Sequence, residues 1–148
     1  MSAATDSTGR ADWRLGRLVR RLDQLLAADK SEALRQFDLT VPQHSALAAL
    51  AASNGMSGAQ LARASGVTPQ TMAVILGNLE SKNLIERSPS AIHPKVLVTT
   101  LTREGRALTK KAGARVQAVE DRLAESYAPE EREQLHSLLE RAIGRLEP

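Results

Sequence analysis

The chain has 148 residues, three aromatic side chains, no cysteine and a formal net charge of +3. Its length suits one domain with a real core, and its Leu- and Ala-rich composition favours helix packed on helix. Disulfides, thiol redox sensing and Cys-based zinc sites are excluded, and no apolar run approaches the ~20 residues of a membrane span.

The opening residues MSAATDSTG lack the basic-then-apolar pattern of a signal peptide, so a cytoplasmic location is expected. Residues 1–10 read as a small, polar, disordered tail. Charge is uneven along the chain. Residues 1–54 carry seven Lys/Arg against six Asp/Glu, residues 55–111 eight against three, and residues 112–148 five against eight. The positive excess therefore falls on the middle of the chain, where a polyanion would be met.

A first long helix is expected from Ala11 to Gln36, with Leu15, Leu18, Leu22, Leu25 and Leu26 as its apolar stripe. Arg10, Arg14, Arg17 and Arg21 recur beside that stripe as a basic ridge, with Trp13 next to them. Thr40 and Gln43 form a capping box for a second helix, which runs to about Ala52 with Ala46, Leu47 and Leu50 facing inward. Asn54 and Gly55, both tolerant of positive φ, are read as its end.

Residues 57–83 spell two helices meeting at a tight turn. Ser57 and Gln60 make another capping box, Gly66 supplies a left-handed stop, and Thr68 caps a helix with Pro69 at its first position. Met72, Ile75, Leu76 and Leu79 repeat at the spacing of a buried stripe, and Gln70, Thr71, Val74 and Asn78 occupy the other face. Ala62 lets the helices cross closely. This is the pattern of a helix-turn-helix, whose second helix lies in a DNA major groove.

After Asn83, a left-handed cap, the period changes from 3.6 to 2. Residues 84–87 begin a strand, residues 88–94 form a turn-rich loop, and residues 95–101 (KVLVTTL) return antiparallel as a second strand. A hairpin directly after a recognition helix is a wing. Two more helices follow, from Thr102 to Tyr127 and from Pro129 onward, with stripes at Leu108, Ala112, Val116, Val119 and Leu123, then Leu135, Leu138, Leu139, Ala142, Ile143 and Leu146. These stripes and that of the first helix exceed what a compact winged helix covers. A second copy of the chain is the economical partner.

The segments LTVPQHSAL (39–47), LARASGVTPQTM (61–72), LESKNLIER (79–87) and LTREG (101–105), in this order, resemble the MarR family of bacterial transcription regulators. The resemblance spans about residues 11–146. It implies a mainly α fold with a small β-hairpin wing: a winged helix-turn-helix lobe (40–101) between long N- and C-terminal dimerisation helices (11–37 and 102–148). It also implies a homodimer that reads a palindromic operator in double-stranded DNA, most simply as a repressor released by a small-molecule effector. Family members usually carry Arg where Val74 stands, an Asp and Arg pair where the wing has His93, Pro94 and Lys95, and Gly in place of Asn83. Those departures keep one alternative open, a winged-helix protein-interaction module without specific DNA binding.

For DNA, Gln70 and Thr71 are expected at base edges, Thr68 and Asn78 on phosphate or bases, and Val74 on a thymine methyl. Ser57, Arg63, Arg87 and Lys95 are expected on the backbone. For an anionic aromatic effector the candidates are Trp13, Arg14, Arg17, His44 and Arg106, since Arg suits a carboxylate. No metal, cofactor or membrane contact is expected. His44, His93 and His136 are scattered, and the sequence shows no nucleophile elbow, phosphate-cradling glycine loop or paired-carboxylate site, so no enzymatic activity is expected.

Overall fold

A computed structural model describes residues 14–148. Trp13, Arg10 and the polar tail lie outside the described residues. The helices are α1 (Leu15–Leu34), α2 (Val41–Ala51), α3 (Gly58–Ser65), α4 (Pro69–Ser81), α5 (Arg103–Glu125) and α6 (Pro129–Leu146), and the strands are β1 (Met56–Ser57), β2 (Ile85–Pro89) and β3 (Leu97–Leu101).

Local chemistry sets most of these boundaries. Thr40 Oγ1 accepts from the Gln43 N–H at 3.2 Å, and Gln43 Oε1 accepts from the Thr40 N–H at 3.1 Å. The Ser57–Gln60 box at the start of α3 is built in the same way, at 3.2 and 2.9 Å. Each box satisfies two amides that the first helical turn leaves orphaned. Gly66 ends α3 at φ 63°, and Asn83 follows α4 at φ 58°. At α6, where Ala128 has no side-chain acceptor, the Glu131 carboxylate alone reaches back to the Ala128 N–H at 3.0 Å.

The lobe's core is Leu47, Leu50, Leu61, Met72, Leu79 and Ile85 with their neighbours, all buried. All four stripe residues of α4 belong to it. Two glycine contacts show how tightly the sheet and α5 are held. A Cβ on Gly55 (φ 124°) would meet Val98 Cγ1 at 2.6 Å, and one on Gly105 would meet the Leu84 carbonyl oxygen at 1.9 Å. The start of α5 is therefore locked onto the link between α4 and β2. Thr102 completes that lock by donating its hydroxyl to the Asn83 carbonyl at 2.8 Å while accepting from the Gly105 N–H at 2.9 Å.

Some expectations are corrected. The first α-helix stops at Leu34, short of Gln36, because Arg35–Phe37 tighten into a 3-10 turn and Asp38 takes a left-handed conformation at φ 53°. Asn54 has no positive φ; Gly55 alone does, and its role is close passage beside β3. The strands are displaced toward residues 85–89 and 97–101, since Lys95 and Val96 belong to the wing loop. The sheet has three strands in the order β1-β3-β2, all antiparallel, with Met56 opposite Thr99 and Arg87 opposite Thr99 on the other side.

The α1 and α5 helices pack along each other and carry two ion pairs, Lys30 with Glu120 and Asp29 with Arg122 (3.3 Å). Ala112 and Val119 are buried there, but no residue of α6 is. Leu15, Leu18, Val19 and Leu22 face Leu135, Leu138 and Leu139 across an open apolar groove of about 1060 Å³. Leu18 is 65 % and Ile143 48 % exposed, so both long stripes are left uncovered by a single chain.

Candidate nucleic-acid interface

The second helix of the helix-turn-helix presents the face expected of it. Gln70, Thr71, Val74 and Asn78 are exposed, opposite the buried stripe. Thr68 Oγ1 accepts from the Thr71 N–H at 3.1 Å and lies 3.0 Å from Thr71 Oγ1, so the two threonines are tied to each other at the helix start. Among the described residues neither Gln70 nor Asn78 has a side-chain hydrogen-bond partner, which leaves both amides open to solvent. From Pro69 to Ser81 the helix holds one charged residue, Glu80.

That carboxylate is compensated. Arg87 of β2 lies across Glu80, Nε to Oε2 at 3.0 Å and Nη2 to Oε1 at 3.3 Å. Arg87, expected on the phosphate backbone, is paired here with Glu80, which braces the recognition helix against the wing. Sequence reading missed this pair because the partners stand seven residues apart across a helix–strand junction. A second tie was missed as well. Lys82, at the helix C-cap, reaches both the backbone carbonyl and the carboxylate of Asp38, the latter at 3.3 Å.

The remaining expected backbone contacts are distributed around the helix. Ser57 spends its hydroxyl oxygen on the Gln60 N–H and is half-buried. Arg63 is exposed on α3, and Lys95 is exposed on the wing loop. The loop is internally bonded: Ser90 Oγ accepts from the N–H groups of Ile92 (3.2 Å) and His93 (3.3 Å). Ser90 also donates its N–H to the Val96 carbonyl at 2.8 Å.

Among the described residues, the expected effector candidates stand on different helices, α1, α2 and α5. Arg14 and Arg17 are exposed at the start of α1. Arg106 lines a small pocket of about 200 Å³ with Ser53, Asn54, Gly55 and Thr100. His44 is buried between α2 and α5, with Nε2 3.9 Å from the position of a Cβ on Gly113 and no hydrogen-bond partner. Burial, and then the charge of Lys30, hold its pKa below the usual imidazole value. Among the described residues no group of three or more His, Asp or Glu is placed to hold a metal ion, and no helix is long and apolar enough to cross a membrane.

Comparison with known proteins agrees with this geometry. A MarR family model matches residues 37–93. The HTH-type transcriptional repressor Rv2887 of Mycobacterium tuberculosis (strain ATCC 25618 / H37Rv) is 42% identical over 123 residues, covering 82% of this chain and 88% of its own length. The structure of Staphylococcus aureus MepR in complex with DNA superposes with a TM-score of 0.85 at 27% identity, covering 91% of this chain and 100% of that one. Rv2887 in complex with salicylic acid superposes at 0.71 with 36% identity, covering 88% and 97%. With the helix-turn-helix, the wing and the flanking long helices all in place, the chain belongs to the MarR family.

Proposed function

We propose that the chain is a dimeric transcriptional repressor that reads a palindromic operator and is released by an aromatic carboxylate. The observation that carries this reading is the outward face of α4. An exposed, hydrogen-bonding, uncharged surface of Gln70, Thr71, Val74 and Asn78 stands on a firmly capped helix beside a wing. Such side chains suit base edges and a thymine methyl, and a Gln–adenine pair contributes about 1–3 kcal/mol of discrimination. Arg63 and Lys95 are the cations placed to meet phosphate, and Ser57 and Thr68 add hydroxyls at two helix starts, where anions are favoured. Arg87 serves the same surface indirectly, through Glu80.

The pose of the lobe supports the DNA-competent state. The DNA-bound neighbour overlays better at 27% identity than the salicylic acid complex does at 36%, so shape here does not simply follow sequence relatedness. A ligand that binds better to a differently posed dimer shifts the population away from DNA. The relative's salicylic acid supports the effector class, an anionic ring. Arg106, in its polar pocket, is the candidate we favour for the carboxylate, with Arg14, Arg17, His44 and Trp13 as the further candidates. The second copy of the chain closes the α1–α6 groove, and two lobes then enter successive major grooves about 34–36 Å apart. A regulator of this kind acts in the cytoplasm and performs no catalysis.

Fluorescence anisotropy on the DNA upstream of its own gene tests the reading. Binding should depend on sequence and fall steeply with salt. Binding no tighter than to random duplex would contradict it and favour the protein-interaction alternative.

A further inference from the structure

Within residues 40–101, four large apolar side chains are left exposed: Val74 (65 %), Ile92 (81 %), Val96 (41 %) and Leu97 (49 %). One stands on the outward face of α4 and the other three on or beside the wing loop. The remaining exposed large apolar side chains of the described residues lie outside the lobe, on the long helices and at Tyr127. The lobe thus shows apolar surface on the two elements that face DNA in the reading above.

Ile92 is held out by a bonded loop. The two amides on Ser90 Oγ, the Ser90–Val96 bond and the Val96 N–H donated to the His93 carbonyl at 2.9 Å close the tip without using the Ile92 side chain. Pro94 fixes one more backbone angle. An apolar group held in water gains little from its own fold, which leaves the Ile92 side chain open to a partner outside the chain. The charge around it favours an anion. Lys95 is three residues away, and the sequence holds no carboxylate between Arg87 and Glu104.

We propose that the wing tip is an apolar wedge: Ile92 seats in the DNA minor groove beside the recognition helix, and Lys95 holds the flanking phosphate. The proposal rests on the DNA-binding reading above and adds a specificity residue to it. Apolar wedges partly unstack a base step, and pyrimidine–purine steps yield most readily. The wing then selects deformable DNA without a hydrogen bond to a base.

The test uses the duplex that the full-length wild type selects from a random pool. Ile92→Ala should weaken binding to it about tenfold, from lost apolar burial, and leave the salt dependence unchanged. It should also abolish hydroxyl-radical protection of the minor groove flanking the recognition-helix site. Ile92→Leu should retain most affinity and the protection. Lys95→Ala should reduce the salt slope by about one phosphate contact. Ile92→Ala binding within twofold of wild type, with the protection intact, overturns the wedge and reassigns the tip to a protein partner. A wild type that selects no preferred duplex overturns the regulator reading, and the wedge with it.

Discussion

Arg87 and Glu80 form a two-point ion pair, 3.0 and 3.3 Å, that joins the end of the recognition helix to the first strand of the wing. The pair offsets the single charge that α4 carries and holds Arg87 against the helix. Glu80→Gln should therefore free a cation beside the groove. Affinity for random duplex should rise severalfold and the salt slope steepen by about one contact, so the specific-to-random ratio falls. Fold stability should change by less than about 1 kcal/mol, because both side chains are partly solvated. A salt titration of the variant on specific and random duplexes checks this; an unchanged slope would show that Arg87 does not reach phosphate.

Gly105 and Gly77 make a matched pair. A methyl at Gly105 would collide with the Leu84 backbone, whereas one at Gly77 meets nothing within 4 Å. Gly105→Ala should lose about 3 kcal/mol or more, since the obstacle is backbone and cannot change rotamer. Gly77→Ala should be neutral or gain up to about 1 kcal/mol from helix propensity. Urea unfolding of the two variants decides the matter, and equal stabilities would contradict the packing described.

His44 gives the pH dependence. Its folded pKa lies below the unfolded value of 6.5, through burial first and the Lys30 charge second. The unfolded chain therefore binds the proton more readily, and stability falls as pH drops through 6.5 toward the folded pKa. Above 6.5 this contribution is fully present. Urea midpoints at pH 7.5 and pH 5.5 should diverge for wild type and converge for His44→Leu. Equal pH dependence in both proteins would remove His44 from the account.

The apolar groove between α1 and α6 predicts an assembly defect. Leu138→Glu places a charge among Leu18, Val19 and Leu135, which a second copy would cover. The variant should sediment as a monomer and lose specific DNA binding by a hundredfold or more, while its circular dichroism keeps the lobe's helices. An unchanged dimer would place the interface elsewhere.

How much of this was legible in the sequence depends on the range of the interaction. The Thr40–Gln43 and Ser57–Gln60 boxes, Gly66, Asn83 and the 72-75-76-79 stripe are local signals, and the structure reproduces each. β1 was not legible, because two residues carry no period and pair only through β3. Gly105 and Thr109 were also missed. Gly105 is buried against the Leu84 backbone, and Thr109, one turn on, donates its hydroxyl to the Gly105 carbonyl at 2.6 Å; neither is an apolar residue that a stripe would mark. The effector candidates rest on the chemistry of Arg and, for His44, on the family resemblance, and the described ones are distributed over α1, α2 and α5. Long-range pairs such as Arg87–Glu80 need the folded junction before they exist.

The central claim is a division of labour: an uncharged recognition helix reads bases, and cations on its flanks hold the backbone. The most direct measurement is binding of Gln70→Ala and Lys95→Ala to a set of duplexes that differ by single base pairs, over a range of salt. Gln70→Ala should flatten the preference at one position, by about 1–3 kcal/mol, with an unchanged salt slope. Lys95→Ala should weaken every duplex about equally and lower the slope by about one contact. Uniform loss across all duplexes for both variants would contradict the account.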